Sequence, residues 1–351
     1  MMLQGHFIDT LLAIEYRDPD NIAYSTWLYF RGITAPVFFT ISGLIFTYLL
    51  IKAKEKGTLS MRIRKGLVRG LMLIGIGYAL RIPIFRWLTG NFGTYFMVID
   101  VLQCIGLSLI LIVCIYLLAR KKTLMFSVVI LCLGTLIFLC EPLYRTYSAE
   151  GIHLFFANYL TKVNGSIFTI LPWFGYMAYG AFIATLFYRY LTRPKFKTRL
   201  ITGFFVTGLV LVYGSTPVFL ELAKLTNWTL LTEVANFNYL FIRLGNVLVI
   251  FGLFYAFEAY LKQPVVLKIG QKTLSIYVIH FVLLYGSFTG LGLNQILGKI
   301  LTPFEVIFGA ICFLVTVSLI SIYIIKANTH IYKYITYKLH NLKTVIKSLN
   351  N

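Results

Sequence analysis

Charge is what this chain has least of. Only 13% of its 351 residues are charged, against roughly 25% in an ordinary soluble domain. Acidic residues are scarcer still, 12 Asp and Glu against 32 Lys and Arg, for a net charge of +20. So few polar groups argue against a soluble domain with one large core. The positive excess by itself would suit nucleic acid, but the charges lie between apolar segments rather than along one face, so no nucleic-acid partner is expected. Cysteine is sparse: Cys104, Cys114, Cys132, Cys140 and Cys312 all fall in or beside apolar segments. None has a C-x-x-C spacing, so no metal or redox motif is present and no metal is expected. They read as small buried apolar residues. No cleavable signal peptide and no soluble domain are expected. No internal repeat is evident, which leaves an inverted-repeat transporter without direct support.

What the chain has in quantity is apolar sequence: 59% hydrophobic residues and a mean hydropathy of +0.81. Stretches near the roughly 20 residues that a bilayer-spanning helix needs recur along its length. They fall at 1–13, 33–52, 66–85, 96–119, 123–140, 165–188, 200–220, 237–260, 273–290 and 303–326. The expected fold is therefore all-α, a polytopic membrane helix bundle of about ten transmembrane helices. The connections alternate in charge. Lys52 to Lys65, Arg120-Lys121-Lys122, Arg189 to Arg199, Lys262 to Lys272 and the tail after Lys326 are basic; Glu15 to Asp20, Glu141 to Glu150 and Glu221 to Glu233 carry the acids. The positive-inside rule puts the basic set in the cytoplasm.

The first span is too short to cross the hydrocarbon core, so either its helix is half-length or the chain begins upstream of Met1; a truncated first helix is the expectation. Domain boundaries are set at 1–326 for the membrane region and 327–351 for a basic tail. The tail spaces Ile331, Tyr334, Ile335, Leu342, Val345, Ile346 and Leu349 at helical intervals with lysines between. It reads as an amphipathic helix on the inner leaflet or as a loosely ordered basic segment.

An ionisable group at membrane depth is costly, and its default reading is a functional site facing a polar cavity. His6 is such a group, and it points to an intramembrane enzyme. Asp9 lies three residues on, on the same helical face, where a carboxylate can orient an imidazole and raise its basicity. The plain alternative is a capping or interfacial pair. Arg31 opens a second apolar run, with Pro36 expected in its first turn or two and Ser42-Gly43 deeper, where small residues let helices approach. Arg31 is either a snorkelling anchor or an anion site. Asp100 is a site residue or the partner of Arg81 or Arg86 in an ion pair. Trp173 and Tyr176 suit an interfacial aromatic belt. Arg243, deep in its span, must find a partner or water and reads as a cavity residue. Tyr277 and His280 share a face, as site residues or as a helix-packing contact. His153 falls in an outer loop, and His330 and His340 in the tail.

The stretches Met2-Leu3-Gln4-Gly5-His6, Arg31-Gly32-Ile33-Thr34-Ala35-Pro36-Val37-Phe38 with Ser42-Gly43, Val101-Leu102-Gln103-Cys104-Ile105-Gly106, Leu171-Pro172-Trp173-Phe174-Gly175 and Gly270-Gln271-Lys272-Thr273-Leu274-Ser275-Ile276-Tyr277-Val278-Ile279-His280 together look like a known pattern. With them the chain resembles the heparan-alpha-glucosaminide N-acetyltransferase-like proteins, part of the wider transmembrane acyltransferase superfamily that includes bacterial polysaccharide O-acetylases. Such proteins usually carry an Asp-x-x-Arg-Gly-like segment before the first-span histidine, and this chain starts where that segment would end.

The resemblance implies acyl transfer from cytosolic acetyl-CoA, or another acyl-CoA, to a hydroxyl or amino group of a sugar reached from the outer side. His6 would be the catalytic base or the residue transiently acylated, and Arg31 would line the path of the phosphates or the thioester oxygen. Asp9 and Arg243 join these roles by spacing and depth, and the cytoplasmic lysines favour the anionic CoA. The implied partners are the bilayer, the acyl-CoA and a glycan acceptor, with a homodimer left open. Short loops suggest a bacterial inner membrane. Two other readings use the same residues: a transporter or flippase for a lipid-linked or acidic solute, served by Arg243, Asp100 and His280, and a non-catalytic scaffold in envelope polysaccharide assembly.

Overall fold

The second apolar run becomes a helix much longer than its hydrophobic stretch. In the computed structural model, which describes residues 1–323, Ile22–Glu55 is one helix of 34 residues. Arg31 therefore lies inside the helix and does not open it, and Pro36 is interior rather than in the first turns. The cause is a cap that hydropathy cannot register: Asn21 Oδ1 accepts from the backbone N–H of Ala23 at 3.0 Å and of Tyr24 at 3.2 Å, meeting two of the four orphan donors of a helix start. At the other end Lys52 and Lys54 occupy the last turn, where the helix dipole favours cations. Gly57 at φ +67° then turns the chain.

All regular structure among the described residues is helical, apart from one parallel bridge between Leu12 and Leu301. Every expected apolar segment lies on a helix, but the count of about ten membrane crossings is not reached by length and composition. Among the described residues, six helices are long and apolar enough: Ile22–Glu55, Thr94–Leu118, Ile170–Tyr190, Phe196–Thr226, Tyr239–Ala256 and Pro303–Tyr323. Pro264–Gly270 with Thr273–Tyr285, bent by 65°, makes a seventh if counted as one span. The remaining three fall short for physical reasons. Met2–Leu11 has 10 residues, about 15 Å of rise against a core of about 30 Å. Thr123–Leu139 has 17. Leu59–Ala79 begins before its apolar stretch and takes in Arg62, Arg64, Lys65 and Arg69. The basic tail, including His330 and His340, lies outside the described residues.

The described residues form two compact units, 1–24 with 260–323, and Ser25–Ala259. In the first, Phe7, Leu11 and Leu12 pack with Ile276, Leu284, Val306, Ala310 and Phe313, and Phe7 meets Phe313 at 5.2 Å between centroids. The bridge adds two backbone hydrogen bonds, Ala13 N to Leu301 O and Leu301 N to Leu11 O, both 3.0 Å.

In the second unit the helices cross at small residues. A Cβ on Gly43 would stand 2.2 Å from the Met177 carbonyl oxygen, and one on Gly180 would stand 1.9 Å from that of Thr40. Ile22–Glu55 and Ile170–Tyr190 thus touch backbone to backbone, as membrane helices do where dispersion rather than the hydrophobic effect holds them. Gly70 with Gly106, and Gly208 with Gly245, make two further close crossings. Replacing Gly180 by alanine should force these helices apart at a cost of about 1–3 kcal/mol, read as a lower melting temperature in detergent. An unchanged melting temperature would show that the crossing can relax freely.

Helix direction sorts the ends of this unit. Lys54 Nζ donates to Lys121 O at 2.9 Å, Tyr188 Oη to Glu55 Oε1 at 2.7 Å, and Lys197 Nζ to Glu258 Oε2 at 3.2 Å. The three basic connections of this unit, 52–65, 120–122 and 189–199, therefore gather at one end. Thr123–Leu139 runs away from them to Glu141, and Ile170–Tyr190 and Tyr239–Ala256 start at the opposite end. The cysteines depart from expectation: Cys104 is buried, but Cys114, Cys132 and Cys312 are exposed. Lipid is as apolar as a protein core, so an apolar residue has no need to be covered by protein.

Candidate functional site

His6 and Thr10 are four residues apart on Met2–Leu11 and so share a face. Both reach one phenol: His6 Nδ1 lies 3.0 Å from Tyr285 Oη, and Thr10 Oγ1 donates to that oxygen at 3.4 Å. The His6 ring stacks on His280 with centroids 5.3 Å apart and an interplanar angle of 29°. His280 is fully buried, and its Nδ1 lies 3.2 Å from the Ile276 carbonyl. A carbonyl can only accept, so Nδ1 carries a proton. Tyr277 meets His280 edge-on at 5.0 Å. The expected face shared by Tyr277 and His280 is thus a ring contact within a larger cluster.

Asp9 is engaged by Arg17, whose Nη1 lies 3.9 Å from the carboxylate and whose Nη2 donates to the Asp9 carbonyl at 2.8 Å. Arg17 also donates to Leu12 O from Nε at 3.1 Å, so this ion pair closes the end of the short helix. Tyr285, the phenol on His6, was not among the residues singled out from sequence. Its signal was present: Tyr277, Phe281 and Tyr285 recur every four residues, an aromatic stripe beside His280.

The remaining site residues lie in the second unit. Arg243, Trp173, Glu141, Arg145 and Lys162 line a cavity of about 540 Å³, with Tyr144, Phe237 and Tyr239 in its wall. Arg243 lies over the Tyr239 ring at 5.4 Å. It also packs on Gly32, where a Cβ would come 3.0 Å from its Nη2; the glycine after Arg31 makes room for a guanidinium from another helix. Glu141 is buried and ion-paired with Arg145, whose Nε lies 2.9 Å and 3.0 Å from the two carboxylate oxygens. Arg145 in turn covers the Phe237 ring at 4.2 Å. Burial pushes the Tyr144 phenol up, so it stays protonated and donates to Ile137 O at 2.9 Å.

Trp173 packs among Phe39, Phe168 and Tyr176 and lines the cavity, and Tyr176 is buried and donates to Leu240 O at 3.3 Å. These aromatics are core and cavity wall, not an interfacial belt. Arg31 lies over the Trp27 ring at 5.7 Å. Asp100 is outside the cavity lining. It pairs with Arg81 Nη2 at 2.8 Å and caps Val101–Leu118 through a capping box with Gln103. His153 caps Leu154–Leu160 by accepting from Phe155 N at 3.3 Å.

The catalytic-domain model of heparan-alpha-glucosaminide N-acetyltransferase matches residues 1–221. The chain belongs to this family. It is an integral membrane member of an acetyltransferase family, and neither a curated protein nor a solved structure matches it. The family match takes in His6, Asp9, Arg31, Asp100, Trp173 and Lys162. Tyr239, Arg243, Tyr277, His280 and Tyr285 lie beyond it, so their place beside matched residues was available only from the structure.

Proposed function

We propose that the protein moves an acetyl, or another acyl, group from cytosolic acyl-CoA to a hydroxyl or amino group of a sugar on the outer side of a bacterial cytoplasmic membrane. The observation that carries this reading is the His6 imidazole, which lies in the stretch the acetyltransferase family matches and is held by Tyr285 and stacked on His280 from beyond it. The hydrogen bond to Tyr285 fixes the ring in place. With Nδ1–H given to the phenol oxygen, Nε2 keeps a lone pair for chemistry.

In a direct route that nitrogen takes the proton of the acceptor hydroxyl or amine as its oxygen or nitrogen attacks the thioester carbon. The C–S bond breaks and CoA leaves as thiolate, which receives the proton from the imidazolium. In a two-step route Nε2 itself attacks the thioester and CoA leaves as thiolate; the acceptor oxygen or nitrogen then attacks the acetyl carbon, the C–Nε2 bond breaks to return a neutral imidazole, and the acceptor's proton passes to solvent, balancing the thiolate's charge. Both routes need an uncharged His6.

The test is purified protein in detergent incubated with acetyl-CoA. Release of free CoA supports the donor assignment, and an acetyl adduct by intact mass, lost in His6→Ala, selects the two-step route. Neither binding nor release of CoA, together with solute flux in proteoliposomes, would replace this reading with a transporter.

A further inference from the structure

Leu59–Ala79 starts from the basic connection 52–65 and carries Arg62, Arg64, Lys65 and Arg69 in its first half. Close packing accounts for one side of this helix: Gly66 meets the Phe46 ring and Gly70 meets Gly106, where an added Cβ would stand 2.8 Å from its neighbours. Arg62, Lys65 and Arg69, spaced i, i+3, i+7, form a stripe along the edge of that packed side. Arg62 lies over the Phe46 ring at 6.0 Å, with its Nε buried and without a hydrogen-bond partner. Arg69 is close enough to repel it. Among the described residues none of the four cations has an ion-pair partner. Glu55, the nearest acid along the chain, accepts from Tyr188 instead.

Depth makes these charges costly. From Arg69 to Arg81 the rise is about 18 Å, against a hydrocarbon core of about 30 Å. Arg81 is fixed by Asp100 at 2.8 Å and does not snorkel. With Arg81 at one boundary of the core, Arg69 starts about 12 Å inside the other. Arg69 is exposed rather than buried in the bundle, and its side chain leans toward the helix N-terminus, the basic end. Its charge is therefore met from outside the protein, by headgroups drawn inward as a bilayer thins around a short apolar stretch. Beside the stripe Met61, Val68, Leu71 and Met72 are exposed, a surface suited to hydrocarbon.

We infer that the Arg62, Lys65 and Arg69 stripe binds the phosphate of an anionic phospholipid, with its acyl chains along Met61, Val68 and Met72. Three cations together select a headgroup with net negative charge over a zwitterionic one, whose own ammonium they repel. The apolar surface beside them has no use for a water-soluble phosphate. The positive-inside rule makes the leaflet the inner one. This inference rests on membrane embedding alone and is independent of acyl transfer at His6. It also explains how a helix with four cations lies in the bundle: the lipid supplies the counter-charge that the chain lacks.

The test is native mass spectrometry of the full chain, delipidated in detergent and titrated with phosphatidylglycerol or phosphatidylcholine. Glycerol 3-phosphate and acetyl-CoA are then added as competitors. The expected result is saturable binding of phosphatidylglycerol, about tenfold or more tighter than phosphatidylcholine, that neither competitor displaces. Arg62→Gln and Arg69→Gln should each weaken it about tenfold, and Arg69→Lys less. Lys56→Gln and Arg199→Gln remove the same charge from the same end of the unit and should leave binding within about twofold. Should Arg62→Gln fail to fold, Arg69→Gln, on the exposed side, and the competition series on the unaltered protein decide. Three results would overturn the inference: phosphatidylcholine binds as tightly; the Lys56 and Arg199 variants weaken binding as much as the Arg62 and Arg69 variants, which is a diffuse potential and not a site; or glycerol 3-phosphate or acetyl-CoA displaces the lipid.

Discussion

On the proposed acyl-transfer reading, His6→Ala should lower acetyl-CoA-dependent turnover by about 10²–10⁴-fold, the usual worth of a positioned acid–base group. The loss should fall on kcat, because in that reading the imidazole acts on the reacting atoms rather than on binding. The surrounding cluster sets a graded series. Tyr285→Phe removes the phenol that holds His6 Nδ1 but leaves the ring packed, so it should cost about tenfold or less while keeping the protein folded. His280→Phe keeps a ring under the stack and should fall between the two. The series is read from free CoA under saturating donor, with thermal unfolding as the folding control. If His6→Ala turns over normally, the chemistry lies elsewhere in the chain, whatever the other two variants do.

Asp100→Asn destabilises the protein by about 3–5 kcal/mol, the cost of leaving a buried charge without its partner. Asparagine is as good a helix cap as aspartate, so the cap on Val101–Leu118 survives and the loss isolates the charge. Arg81 is left among buried groups with the Tyr95 ring 5.0 Å away and no carboxylate at 2.8 Å. The double variant Asp100→Asn with Arg81→Met should recover most of the loss, since apolar replacement of a buried pair is often neutral or better. Both are read as shifts of the unfolding midpoint in detergent. A midpoint for Asp100→Asn equal to that of the unaltered protein would mean the pair contributes nothing. Activity of whatever folds should be close to normal, because Asp100 is engaged by Arg81 and the helix cap.

Hydropathy and charge by themselves determined that the chain is all-α and membrane-embedded, and where its long apolar helices lie. They also pointed to His6, Arg243 and Trp173 as residues that need an explanation. These are local properties: a sum of apolar transfer energies over a window, or the cost of one ionisable group at depth. The same local reading misjudged the start of the Ile22–Glu55 helix, because the Asn21 cap acts through hydrogen bonds that a hydropathy sum does not contain. It could offer His6 only Asp9 as an ionisable neighbour, since i, i+3 and i, i+4 spacings are the neighbour relations that one helix provides.

The partners themselves came from tertiary structure. Tyr285 is 279 residues from His6 in sequence, and the cavity draws Glu141, Lys162, Trp173 and Arg243 from separate segments. Which side chains meet across such separations depends on how helices pack, through contacts such as Gly43 on Met177 and Gly32 beneath Arg243. Those contacts are set by shape at ångström scale, and residue type along the chain carries no record of it.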